Sequence, residues 1–281
     1  MKIARRRGGR AEMFVTDEPW DPAYAERFAD GTCDTLVVGS PLRRGAGPDL
    51  GFLPGLVGLR GLRVLNGVAD VSLVAGCVEL ERLSLPGSVT RDVDLSGLTR
   101  LREAEVPWTA GARSLPVLAG VEDLVVTGWR GEALAVLGAK PVLRTLRIES
   151  VRGHVTSMEG AGRLPVLDAL RCYDGQLVRA ELLTGATALT DVSLLSARPG
   201  AIAFVAGLPR LRRLELENSA DIASLGPVAS HPALREVILS GTTRVADGDL
   251  SPLLANPGLR FVAVEHGHAH YTHAPSEVRK G

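Results

Sequence analysis

The chain has 281 residues, 45% of them hydrophobic and 23% charged, with 32 basic and 32 acidic side chains. This is a folding composition, and the balance leaves no net field to draw the chain to nucleic acid or an anionic membrane. Aromatics are scarce at 4%, so a core must come from Leu, Val and Ala, which suits many thin layers better than one thick centre.

The opening MKIARRRGGR is basic, but no apolar stretch of signal-peptide length follows it, and no window reaches the roughly 18 apolar residues of a membrane helix. Cys33, Cys77 and Cys172 are odd in number and far apart, which argues against a disulfide framework and for a reducing compartment; the expected location is the cytoplasm. The basic run reads as a solubilising arm, with non-specific phosphate binding as the alternative. Next comes WDPAYAERFADG. Asp21 suits an N-cap, Pro22 the first helical position, Tyr24 and Phe28 share a face, and Gly31 can end the helix. Residues 1–32 are therefore expected to supply an arm and a capping helix.

From Cys33 onward a phrase returns, with apolar residues at its first, fourth and sixth positions. The first position falls at Cys33, Leu59, Leu80, Leu101, Val121, Leu143, Leu167, Leu189, Leu211, Leu234 and Leu259, in steps of 20 to 25 residues after the first. The fourth runs Leu36, Leu62, Leu83, Ala104, Leu124, Leu146, Leu170, Val192, Leu214, Val237 and Val262. The sixth runs Val38, Val64, Leu85, Val106, Val126, Ile148, Cys172, Leu194, Leu216, Leu239 and Val264. Against the background composition a fully apolar set is expected by chance on the order of once in 10¹¹. Positions 4 and 6 differ by two, so they share one side of a strand while 3, 5 and 7 face the other. One strand per unit, each followed by a return segment, stacks the strands in parallel: a solenoid.

The return segments DVSLVAG, DVDLSGL, SLPVLAG, IASLGPVA and DLSPLLAN carry apolar residues for the opposite wall, and GEALAVLGA and GAIAFVAGL suit a helical turn or two. Proline recurs two residues before the phrase, at Pro141, Pro165, Pro209, Pro232 and Pro257, where a missing N–H breaks no ladder bond.

The phrases LERLSLPGS, LRTLRIESV, LRRLELENS and LREVILSGT resemble the leucine-rich repeat family, in its short bacterial or internalin-like class. The resemblance covers about Cys33 to Glu265 and implies an α/β fold: a right-handed leucine-rich-repeat solenoid with a curved parallel sheet, and loops and short helices on the other side. The family's ninth-position Asn is absent. Ser88, Thr109, Ser219 and Thr242 stand there in four units, and Trp129, Val151, Gly175 or Ala197 in others.

Residues 266–281 read as a polar tail. His266, His268, His270 and His273 would share a face if extended, which raises a zinc or nickel site as an alternative function; the preferred reading is a solvated tail without metal.

Function is expected on the outward strand residues. The middle units present Glu105, Trp108, Arg147, Glu149, Arg171 and Tyr173, a mixture of Trp, Tyr and Arg typical of interface anchors. Farther on, Glu215, Glu217, Glu236 and Glu265 suggest an acidic patch offset by Arg212, Arg213 and Arg235. The sequence contains no phosphate loop, dinucleotide fingerprint, zinc-protease motif, nucleophile elbow or C-x-x-C. Cys33 and Cys172 fill core slots, Cys77 lies in a return segment, and His154 and His231 sit in loops without an acid-base partner nearby. The expectation is a monomeric, non-catalytic scaffold that binds a protein partner, without a cofactor. Similar repeats serve as adaptors, inhibitors and immunity-type partners.

Overall fold

A computed structural model describes residues 1–5, 11–16, 18–40, 49–66, 70–89 and 91–281. The basic run RRRGGR, the basis of the nucleic-acid alternative, lies outside the described residues beyond Arg5. Among those described, no helix is long and apolar enough to cross a membrane. The chain forms two compact units, Met1–Gly128 and Trp129–Gly281.

The first unit carries β1 (Lys2–Arg5), β2 (Ala11–Val15), β3 (Thr35–Val38), β4 (Gly61–Val64), β5 (Arg82–Ser84), β6 (Glu103–Pro107) and β7 (Asp123–Trp129), whose last residue belongs to the second unit. β1 runs antiparallel to β2; every later neighbour is parallel. The register aligns Met13, Leu36, Leu62, Leu83, Ala104 and Leu124 in one row. The fourth slots read from the sequence thus lie side by side, because each coil repeats the same inward period.

Pro22–Ala25 forms a 3-10 turn that leads into α1 (Glu26–Ala29). Asp21 accepts from Ala23 N at 2.9 Å, Phe28 is buried, and Gly31 leaves the helix at φ +76°. Trp20 stacks on Phe52 with centroids 3.9 Å apart. This helical turn lies in the return segment between β2 and β3, and β1 rather than the helix is the outermost strand. β1 and β2 had no place in the sequence reading. β2 nevertheless follows the inward rule, with Ala11, Met13 and Val15 buried.

The second unit holds β8 (Thr145–Ser150), β9 (Val155–Ser157), β10 (Ala169–Tyr173), β11 (Gln176–Val178), β12 (Asp191–Leu195), β13 (Arg213–Glu217), β14 (Asp221–Ile222), β15 (Glu236–Ser240), β16 (Arg244–Val245) and β17 (Phe261–Val264). Its main strands pair in parallel and align Leu146, Leu170, Val192, Leu214, Val237 and Val262. Two small parallel pairs, β9 with β11 and β14 with β16, follow the main strands in their coils.

Every first, fourth and sixth slot is buried except Val264, in the last strand. The backbone repeats as regularly. Within each unit the second-position carbonyl accepts two N–H groups from the next coil: Arg60 from Glu81 and Arg82 at 2.8 and 3.0 Å, Arg212 from Arg235 and Glu236 at 2.8 and 2.9 Å. Most return segments tighten into 3-10 turns such as Ser72–Gly76, Leu134–Leu137 and Ala203–Gly207. The helices α2 (Trp108–Gly111) and α3 (Ser251–Ala255) are as short.

Hydroxyls do the work of the missing asparagine, those of Ser219 and Thr243 from buried positions. Thr109 Oγ1 donates to Val89 O at 2.6 Å and Ser219 Oγ to Leu194 O at 2.8 Å. In the following unit Thr243, not Thr242, is buried; its Oγ1 donates to Leu216 O at 3.1 Å and accepts from Ser219 N at 3.0 Å. On the return side His231 Nε2 donates to Leu208 O at 3.0 Å, while its Nδ1 accepts from Leu234 N. Asn256 Nδ2 donates to the carbonyls of Val228 and His231. These bonds satisfy carbonyls that the turns leave open inside the stack.

Residues 266–281 are not a loose tail. Val262 and Lys280 exchange both backbone hydrogen bonds, at 2.9 and 3.3 Å, and cover the free edge of β17. Within α4 (Pro275–Val278), Val278 is buried. Val245 N donates to the Tyr271 hydroxyl at 3.0 Å, and Leu250 N to Thr272 Oγ1 at 3.0 Å. An uncovered strand edge and core end require such closure.

The three cysteines are free; Cys33 and Cys172 are buried and Cys77 partly so. Burial pushes all three thiols up, Cys172 to about 12. A chromogenic disulfide reagent at pH 8 is expected to react slowly with Cys77 alone in the native chain and with all three after denaturation. Native reaction of Cys172 as fast as that of Cys77 would contradict its packing.

Candidate binding face

The residues at positions 3, 5 and 7 stand opposite the core, so their chemistry is free of the packing constraint. In the first unit Glu105 is exposed on β6 and accepts from Ser84 Oγ at 2.9 Å. Trp108 does not extend that strand. Pro107 ends β6, and Trp108 opens α2, half-buried. Nearby, Glu12, Arg63, Arg82, Glu103, Glu105 and Asp123 border a cavity of about 380 Å³. Gly61 makes the room for Arg82. A Cβ there would meet Thr35 Oγ1 at 2.7 Å and Arg82 Nε at 3.1 Å. With that space open, Arg82 Nη2 reaches Asp34 Oδ2 at 3.2 Å and Thr35 Oγ1 at 2.9 Å.

The second unit brings four of the sequence-selected residues together. β8 and β10 pair Arg147 with Arg171 and Glu149 with Tyr173. The Arg147 guanidinium lies 4.5 Å from the Tyr173 ring centroid and 2.5 Å from Glu149 Oε1. Cation–π attraction and the ion pair hold Arg147 in one place. Arg171 remains exposed beside this cluster. Glu105 and Trp108 belong to the first unit and are described only within it.

Two carboxylates of the acidic patch, Glu215 and Glu236, share one arginine. Arg213 reaches Asp191 at 3.8 Å, Glu215 at 3.2 Å and Glu236 at 3.1 Å, while Ser193 Oγ donates to Glu215 at 2.8 Å. Burial raises the Asp191 carboxyl, and the charges of Arg213 and Arg171 pull it back only in part. Burial lowers Arg213, but the hydrogen bond and charge of Glu215, with Asp191 and Glu236, outweigh it and leave its pKa raised. Arg235 instead donates to the carbonyls of Pro232 and Leu234. Asp191, Arg213 and Glu236 occupy position 3, which the alternation places on the same face as positions 5 and 7; counting that position would have revealed the network.

The terminal histidines do not form a shared donor set. His266 pairs with Glu265 at 3.4 Å, His270 Nε2 donates to Val245 O at 3.0 Å, and His273 Nδ1 pairs with Thr272 Oγ1 at 2.9 Å. The chain leaves the strand after Val264 and turns at Ala269 and His270, and the rings of His268 and His270 stand 5.9 Å apart. Among the described residues no group of three or more His, Cys, Asp or Glu is placed to hold a metal. His154 and His231 are engaged with the carbonyls of Gly131 and Leu208.

No family model matches the chain, and no curated protein matches it. Among solved structures it is similar to an internalin from Listeria monocytogenes, at 22% identity over 84% of this chain and 67% of that one, with a TM-score of 0.64. It is also similar to a leucine-rich repeat protein of Leptospira interrogans, at 13% identity over 89% and 82% of the two chains, with a TM-score of 0.51. These likenesses establish the fold: the chain is an internalin-like leucine-rich-repeat solenoid.

Proposed function

We propose that this chain is a non-catalytic scaffold that binds a protein partner over the outward face of its parallel strands. The observation that carries this reading is the Arg147 guanidinium held over Tyr173 and against Glu149, with Arg171 exposed in the next strand. Arg and Tyr are the residues that dominate interface energetics, and a side chain already fixed loses little further entropy on association. Glu105 offers the same kind of surface in the first unit, with Trp108 half-buried just past the end of its strand. The partner would be met by a monomer, and the free cysteines fit a reducing compartment such as the cytoplasm.

The test is cross-linked affinity capture from the native organism, followed by affinity measurement with each purified candidate. Tyr173→Ala combined with Arg171→Glu is expected to weaken the specific partner at least ~30-fold, the effect of a hot spot of about 2 kcal/mol. Arg163→Ala, in the return wall, should leave it unchanged. Equal loss in both variants, or in neither, would remove the strand face as the interface.

A further inference from the structure

A cavity of about 960 Å³ opens in the second unit among the loops that follow β10, β12, β13, β15 and β17. It lies beyond the strand ends and uses none of the residues assigned to the strand face. Its volume is at the upper end of the range ligand pockets span, roughly 300–1,000 Å³.

Three polar side chains on its lining, Gln176, Arg198 and Thr242, make no side-chain hydrogen bond or ion pair among the described residues. Arg198 is exposed, yet its backbone is fixed: its N–H bonds to Gly175 O at 3.4 Å and its carbonyl accepts from Leu177 N at 3.2 Å. The second arginine of the lining, Arg244, is already satisfied by Asp221 through contacts of 2.9 and 3.4 Å. The cavity therefore offers one uncommitted guanidinium, with His266 and His268 on the same lining and no uncommitted carboxylate. Leu177, Pro199 and Ala220 give the rest of the wall an apolar character. Ser196, Asn218 and Ala220 hold the loops at φ of +55°, +49° and +60°, a left-handed conformation that side chains other than glycine's rarely adopt.

We propose that this cavity binds an extended, acidic peptide segment carrying an aliphatic residue beside its carboxylate. The guanidinium of Arg198 matches a carboxylate in a planar, two-point contact. The Gln176 amide and Thr242 hydroxyl can pair with peptide N–H and C=O groups, and Leu177, Pro199 and Ala220 receive the aliphatic side chain. Length favours a peptide over a compact metabolite. Five successive loops at about 4.8 Å per coil spread the lining over roughly 19 Å, the reach of about six extended residues.

The experiment selects binders to the full chain from a displayed random hexapeptide library, then measures one enriched sequence as an acetylated, amidated peptide. Enrichment of Asp or Glu next to Leu, Ile or Val is expected, with at least tenfold weaker binding to Arg198→Ala and at least tenfold weaker binding when the peptide acid becomes its amide. Arg198 is exposed, so this variant should melt with the parent; Gln176→Ala provides a second, milder loss. Absence of acidic enrichment, or equal binding by Arg198→Ala, overturns the proposal. So does inorganic phosphate protecting Arg198 from arginine-selective modification without any acidic-peptide enrichment, which would assign the guanidinium to a free anion.

Discussion

Replacing Trp129 with alanine is expected to lower the free energy of unfolding by about 3–5 kcal/mol, the range for truncating a buried aromatic. Trp129 is fully buried and is the largest such side chain among the described residues. It occupies the slot where the repeat family places asparagine, and its indole Nε1 donates to Thr156 Oγ1 at 3.0 Å. Thr156 is itself buried. Truncation thus opens a cavity and removes the indole's hydrogen bond to a hydroxyl inside the stack. Trp129→Phe should cost less, since it keeps most of the ring volume. Thr156→Val should cost about 1 kcal/mol, because it removes the hydrogen bond while keeping the shape. Urea unfolding followed by circular dichroism measures all three; a loss below about 1 kcal/mol for Trp129→Ala would falsify the packing role.

The second large effect depends on pH. Lys140 is fully buried in a return segment, and burial pulls its pKa down to about 8. In the unfolded chain a lysine titrates near 10.4. Below pH 8 both states carry the proton, so this residue gives stability no slope with pH there. Between about pH 8 and 10.4 the unfolded chain binds more protons than the folded one, so stability rises with pH across that window. The gain reaches about 3 kcal/mol at its upper end, from a shift of roughly two and a half pH units. Lys140→Met removes the titration. The difference in unfolding free energy between parent and variant, measured from pH 7 to 10.5, should therefore move by that amount in favour of the parent. A difference that stays flat over the window would show that Lys140 keeps its ordinary proton affinity in the fold.

The Arg147–Tyr173–Glu149 cluster shows how far a repeat can carry a site. Alternation places the three side chains on one face, and the repeat length places β8 beside β10, so the neighbourhood follows from counting. The side-chain geometry is settled by space: Arg147 lies over the ring because strand pairing puts Tyr173 opposite Glu149 rather than opposite Arg147. Trp108 shows the limit. Its position number put it on the exposed surface, but the proline before it ended the strand and turned it into α2.

The alternating pattern by itself determined the one main strand of each repeat, its faces and its parallel register, because a slip of one residue would turn every leucine outward. That is why Leu36, Leu62 and Leu83 align in the first unit, and Leu146, Leu170 and Leu214 in the second. Tertiary structure alone decided what happens where coils meet or stop. The antiparallel β1, the docking of Lys280 on β17, the burial of Lys140 and the cavity beside Arg198 all depend on residues far apart in the chain. Local preference is short-ranged, whereas an open edge or an unfilled space is closed by whichever segment the completed stack brings within reach.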